Sequence, residues 1–347
     1  MFTNSILNFT LGAQIGNGGE ATVFLATDHQ LNAEIVIKKI PQTNFTDKDL
    51  FFEESKKIYL TNHHNIVKIM YGSQDADFVY LAMPYYPKGS LKSIIDGRYL
   101  TSREIIRYSL QFLSGLNNIH SKGLMHFDVK LENILVDQSD KALISDFGLA
   151  EYMGVYGFAT VNGTTPVYAP PELFSQANHN LKFDIYQAGI AIYRMCNGDI
   201  EFINQMNNAF LSRGVRNDNN FINNITRERF PDRSNYLPHI PKPLRNVIKK
   251  CLKANPAERY DSVIDILNDL SKIDIATDWQ YVKIDTNYEQ WTKPNCIVTC
   301  NYVNNKFSIQ SLKNNRRKTV YCKTLDSKNE AYNLLYTCLH DPNWNDS

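Results

Sequence analysis

Long hydrophobic runs are missing from this chain of 347 residues. No stretch approaches the roughly 18 consecutive apolar residues of a membrane-spanning helix, which excludes a helical span. The first residues, MFTNSILNFTLGAQIG, carry no basic patch, no sustained apolar segment and no small-residue cleavage site, so no secretion signal is expected. An excess of one charge is missing too. The formal net charge is +1, which removes any global electrostatic argument for nucleic acid or an anionic membrane. Cysteine is sparse: there are six, none in a CxxC pair, and this usage points to reduced thiols in a cytoplasmic protein. Internal repeats and low-complexity tracts are absent, and the abundant asparagine reads as genome composition. What remains is an ordinary globular balance, 43% hydrophobic and 21% charged, able to bury a large core.

The length suits roughly two to three domains, and the pattern changes twice along it. FTLGAQIG, ATVFLATD and AEIVIKKI, within residues 9–40, read as short strands around a glycine cluster. Residues 46–61, with Leu50 and Ile58 at helix-like intervals, read as a helix, and 78–86 (FVYLAMPYY) as a strand. From about residue 91 the chain turns mainly helical, with periodic apolar segments at 101–121, 182–197 and 244–254. Beyond about 274 the pattern alternates again at 296–303, 306–312 and 318–325, separated by asparagine turns. A closing helix starts at Ser327, where S-x-x-E to Glu330 forms a capping box and Ala331, Leu334, Leu335, Cys338 and Leu339 make one apolar face. The expected fold class is α+β: a β-rich lobe at 1–84, a helical lobe at 85–273, and a module at 274–347 with a three- or four-stranded antiparallel sheet backed by a helix.

The densest chemical signal is His126-Phe127-Asp128-Val129-Lys130-Leu131-Glu132-Asn133, followed thirteen residues later by Asp146-Phe147-Gly148. Two carboxylates and an amide suit a divalent cation on a phosphate, because Mg²⁺ takes oxygen ligands from one or two carboxylates plus its substrate. Upstream, Gly16-Asn17-Gly18-Gly19-Glu20-Ala21-Thr22-Val23 lies between two strand-like runs, where glycines let backbone approach phosphate oxygens. Lys38, in Ile35-Val36-Ile37-Lys38, follows on the next strand.

In order and spacing these segments resemble the eukaryotic-like (Hanks-type) serine/threonine protein kinase family, over about residues 9–272. The resemblance implies a bilobal fold with ATP and Mg²⁺, or Mn²⁺ in its place, bound in the cleft between lobes. It implies that Asp128 accepts or orients the substrate hydroxyl proton, that Lys130 neutralises the transferring phosphoryl group, and that Asn133 and Asp146 hold metal. Lys38 would reach the phosphates, held by an acidic partner on the helix at 46–61. That partner is Glu54, nine residues before His63, with Glu53 as the alternative. Ile15, Gly16 and Gly18 belong to the loop over the nucleotide. Val23, Val36 and Leu135 would sandwich the base, Met83 would be the gatekeeper, and Pro84, Tyr85 and Tyr86 the connecting segment. Proline at 84 lacks an N–H but keeps its carbonyl for the adenine amine, and Tyr86 would supply the N–H.

Further matches are structural. Gly163 to Glu172 resembles the end of an activation segment, with Pro-Pro-Glu for Ala-Pro-Glu, in which Thr165 lies nearest the substrate hydroxyl and Thr160, Thr164 and Thr165 are candidate phosphorylation sites. Glu172 would pair with Arg259, Asp184 would hold the catalytic-loop backbone, and Tyr186 stands where tryptophan is usual. Phe127 is the informative departure, because most regulated kinases carry there an arginine that docks an activation-segment phosphate. A serine/threonine protein kinase independent of that phosphate is therefore expected. A small-molecule phosphotransferase and a catalytically dead nucleotide-binding scaffold are the alternatives.

In the last segment, Cys296, Cys300, Cys322 and Cys338 invite a zinc reading. Four residues of strand separate Cys296 from Cys300 by about 13 Å, too far for one ion with zinc–sulfur bonds of about 2.3 Å. The basic turn at 314–318, with Trp279, Trp291 and Tyr302, could stack and neutralise a nucleic acid strand, but a solvated hairpin tip over an aromatic core is preferred. The module is expected to recognise a partner protein.

Overall fold

In the computed structural model, residues 7–18, 21–44, 52–212, 215–274 and 278–344 are described. Gly19 and Glu20 of the glycine loop, and Leu50, lie outside them. The three β-branched runs near the start form strands β1 (Phe9–Gly18), β2 (Ala21–Asp28) and β3 (Ala33–Pro41), joined to β4 (Tyr71–Gln74) and β5 (Phe78–Pro84) in an antiparallel sheet of order β1-β2-β3-β5-β4. Helix α1 (Glu53–Leu60) is tied to β3 by the Lys38–Glu54 ion pair, and its Ile58 enters the core of the large lobe. Register sets Lys38 opposite Val23 on β2 and Leu81 on β5, so that β3 is the central strand and is supported from both sides.

The large lobe is helical: α2 (Leu91–Gly97), α3 (Ser102–Ser121), α4 (Lys182–Asn197), α5 (Asp199–Phe210), α6 (Asp218–Thr226), α7 (Lys242–Cys251) and α8 (Val263–Ser271). Helix α3 starts on a complete capping box: Thr101 Oγ1 accepts from the Glu104 N–H, and the Glu104 carboxylate accepts from the Thr101 N–H. Helix α4 is buried along almost its whole length, which makes it the axle of the lobe. A Cβ at Gly189 would lie 2.7 Å from Cβ of Cys251, so glycine is required where α4 and α7 cross. A short hairpin, Ile134–Val136 with Ala142–Ile144, lies on the upper face of this lobe and leads into Asp146.

The final module is larger than expected. Its sheet has six strands, because Gln280–Lys283 and Tyr288–Lys293 precede the alternating runs. The single strand expected at 318–325 is instead a 3-10 turn at Thr319–Tyr321 and a short strand at Lys323–Leu325, since the tight Asn314-Asn315 turn pairs only Arg316 and Arg317 before the chain leaves the ladder. Helix α9 (Lys328–Leu339) closes the module, with Ala331, Leu335, Cys338 and Leu339 buried and Leu334 only partly so. Ser327 Oγ accepts from the Glu330 N–H, the serine half of the expected box. Cys296, Cys300 and Cys338 sit in the module core, and Trp279 and Trp291 are buried there, out of reach of any nucleic acid base. The module rests on the helical lobe: Trp291 Nε1 donates to His239 Nδ1 at 3.3 Å, and Tyr281 meets Tyr99 edge-on at 4.6 Å. Among the described residues no helix is long and apolar enough to cross a membrane.

Candidate active site

Lys38 points from β3 into the cleft between lobes. Its Nζ donates to both oxygens of Glu54, at 2.8 and 2.9 Å, and to Asp146 Oδ1 at 2.9 Å. Glu53, one residue away and so about 100° round the helix, turns outward to Lys56 at 2.6 Å. Burial disfavours the charge on Lys38, but Glu54 and Asp146 outweigh it and hold its pKa above the ordinary lysine value. Lys38 in turn holds Asp146 well below the usual carboxylate range. Asp146 sits in left-handed backbone, φ 64°, on the turn made by Phe147 and Gly148. Phe147 is buried and lies 5.4 Å from the His126 ring. Sequence reasoning missed Lys57, one turn along from Glu54, whose ammonium donates to the Ala150 carbonyl and ties α1 to the segment after Asp146.

The catalytic-type loop hangs from α4. The buried Asp184 accepts from the backbone N–H groups of His126 and Phe127, both at 2.8 Å, and pairs with His120. These bonds hold Phe127 at φ 62°, a conformation a bulky residue keeps only when its surroundings impose it. Asp128 then faces three groups. Asn133 Nδ2 donates to its Oδ2 at 2.9 Å, Lys130 Nζ lies 2.6 Å from the same oxygen, and Thr165 Oγ1 donates to Oδ1 at 2.9 Å while accepting from Lys130. Because the Asn133 N–H side is committed to Asp128, the side it can offer a cation is its carbonyl oxygen.

The cleft above these groups has a volume of about 440 Å³. Ile15, Gly16, Val23, Val36, Met83, Pro84, Tyr86 and Leu135 all line it, with Lys38, Glu54, Asn133 and Asp146 at its polar end. Gly18 is the last residue of β1. Val67, Ser145 and Glu132 line it and were not anticipated; the Ile66-Val67 pair in the run after His63 was the available signal. A larger hollow of about 670 Å³ lies behind α1, against residues 66–71, and holds none of the polar groups around Asp128 and Asp146.

Below the loop, Arg259 grips Glu172 bidentately at 2.6 and 2.7 Å, and both are buried. The segment between Asp146 and Glu172 is held against Phe127. That ring meets Phe183 edge-on and packs with Met125 and Ala159, with Leu149, Met153, Val161 and Leu173 around them. Ala159–Thr160 pairs with Asn178–His179 as a two-stranded ladder.

Residues 9–269 match the family model described as protein kinase domain. The chain belongs to that family. Among curated proteins it is 26% identical to a probable serine/threonine-protein kinase of Clostridium acetobutylicum, over 86% of this chain and 44% of that one. It is 27% identical to the probable serine/threonine-protein kinase PknB of Lactococcus lactis, over 74% and 40%, and 26% identical to the serine/threonine-protein kinase PrkC of Bacillus subtilis, over 74% and 39%. The chain thus spans less than half the length of these relatives.

Proposed function

We propose that this chain is a serine/threonine protein kinase that transfers the γ-phosphate of ATP to protein hydroxyls, and that it works without a phosphate docked at its catalytic loop. The observation that carries the reading is the convergence of Lys38, Glu54, Asp128, Asn133 and Asp146 on one cleft. Lys38 is held charged where it can meet the outer phosphates, and an apolar slot between Val36 and Leu135 accepts a flat base. Asp146 is held ionised, and Asn133 turns its oxygen side outward, a donor set of the hard kind that Mg²⁺ or Mn²⁺ takes. Held there, the cation would supply positive charge to offset that of the phosphate oxygens. Asp128 would accept or orient the proton of the incoming hydroxyl, and Lys130 would offset charge on the moving phosphoryl group. Lys130 and Thr165 support a serine or threonine acceptor on a protein, as do the names of the bacterial relatives.

Phe127 supports the independence from phosphate. An aromatic ring inside an apolar cluster has no donor for a phosphate oxygen, and that cluster already fixes the segment. We place the lobe boundary at 84/85 and the module at 274–347, and assign the module to partner recognition. All six cysteines are free thiols, which supports a reducing, cytoplasmic setting.

The test is incubation with γ-labelled ATP, Mg²⁺ and a generic protein acceptor, beside Asp128→Asn and Asp146→Ala. Label on acceptor serine or threonine is expected from the unaltered protein, with a loss on the order of 10²–10⁴-fold in Asp128→Asn. Label on a sugar or aminoglycoside alone would favour a small-molecule phosphotransferase, and ATP binding without transfer a scaffold.

A further inference from the structure

Helix α4 carries a second polar side chain on the face that presents Asp184, one turn further on. Gln187 is fully buried, and all three of its hydrogen bonds run to the elements that flank Asp128. Its Oε1 accepts from the Val129 N–H at 3.0 Å, and its Nε2 donates to the Phe127 carbonyl at 2.9 Å and to Thr164 Oγ1 at 2.8 Å. The orientation of the amide is fixed by its partners: a backbone N–H demands the oxygen and a backbone carbonyl demands the nitrogen. Thr164 completes the ring by donating to the same Phe127 carbonyl at 3.0 Å.

One amide thus clasps the peptide groups on both sides of Asp128 and, in the same plane of contacts, the residue before Thr165. Thr165 reaches Asp128 from the other direction, at 2.9 Å. The carboxylate of Asp128 is therefore placed twice over, from its own backbone and from the activation segment, and Gln187 is the group common to both routes.

We infer that Gln187 is a positioning residue that locks the activation segment to the Asp128 loop, and that this buried amide does the ordering which a docked phosphate would otherwise do. The inference rests on the kinase reading above and deepens it. A side chain at this place need only fill space to satisfy packing; three directional bonds to two separate elements are more than packing requires. The apolar cluster around Phe127 holds the segment down, whereas the amide sets its register against the loop.

The distinction can be measured on the full chain with Gln187→Leu, which keeps the volume and removes all three bonds, and Gln187→Glu, which keeps the acceptor for Val129 and removes the donor for Phe127. Two quantities are read in each: amide hydrogen exchange at residues 126–130 and 159–166, and kcat with the KM for ATP. The lock predicts faster exchange in both segments together, a fall in kcat on the order of 10–100-fold, and an unchanged KM for ATP, because the cleft-lining side chains are untouched. Thr164→Val should act in the same direction and add little on top of Gln187→Leu. Faster exchange confined to one segment, or unchanged kcat in Gln187→Leu, overturns the inference and leaves Gln187 a core residue. Should the unaltered protein transfer no phosphate at all, the kinase reading fails instead, and joint or separate exchange of the two segments still decides the lock.

Discussion

The ring of Phe127 meets that of Phe183 edge-on, centroids 5.1 Å apart and planes at 83°, directly beneath the loop that carries Asp128. Such aromatic pairs add about 0.5–1.5 kcal/mol beyond the area they bury. The pair joins α4, the loop and the activation segment through apolar contact, so Phe127→Ala should lower stability by about 3–5 kcal/mol. Urea unfolding measures this. A loss under about 1 kcal/mol would show that the ring is not part of the framework.

Glu172 and Arg259 form a buried, bidentate pair, and the remaining Arg259 hydrogens go to the carbonyls of Lys182, Lys253 and Ala254. Removing one partner strands the other charge. Arg259→Ala should therefore cost about 3–5 kcal/mol, while a volume-matched apolar pair at both positions should recover much of the loss. Denaturant midpoints of the three proteins check the ordering. Equal losses in the single and double variants would contradict it.

Asp184 gives a pH dependence of definite sign. Burial pushes its pKa up, but the hydrogen bond and charge of His120 and the loop N–H groups outweigh burial and leave it below the ordinary 3.8. A carboxylate depressed in the folded state contributes stability above its unfolded pKa and loses it as pH falls through the folded one. Midpoints measured from pH 6 down to pH 3 should fall below about pH 4. In Asp184→Asn the overall stability drops and this acid limb becomes shallower. An unchanged slope would exclude Asp184 as a source of it.

His239, at the contact between helical lobe and module, gives a dependence of the same sign from a different cause, a buried imidazole kept neutral. It is buried, accepts from Trp291, and stacks on Tyr281 at 5.8 Å. Burial holds its pKa down, from 6.5 to about 3. The unfolded state binds a proton that the folded one refuses, so stability rises with pH between these values and is lost as pH falls from 6.5 towards 3. All three tryptophans of the chain, Trp279, Trp291 and Trp344, are in the module and buried, so their fluorescence reports on this region alone. Acidification should shift their emission to the red, and His239→Gln, which keeps an acceptor, should reduce the shift. A shift of equal size in that variant would locate the titration elsewhere.

The clustering of polar residues was legible in the sequence because the motifs that resemble protein kinases carry fixed residue types at fixed spacing. Lys38 meets Asp146 and Glu54, the glutamate picked out by its distance from His63, and Asn133 meets Asp128. Gln187 was not legible. Its role depends on which backbone groups it meets across a buried interface, and no local pattern records that. The module was read too small because Tyr288–Lys293 buries only Trp291, so its alternation is hidden among polar residues. At 318–325 the alternation was present but did not make one strand, because the turn before it ends the ladder.

The most direct test is the initial rate of transfer from γ-labelled ATP to a protein acceptor, measured after phosphatase has stripped the enzyme and been removed. A kinase ordered by Phe127 and its neighbours labels acceptor serine or threonine at the rate of the untreated protein. A rate no higher than that of Asp128→Asn, restored only when the activation segment is rephosphorylated, would contradict it.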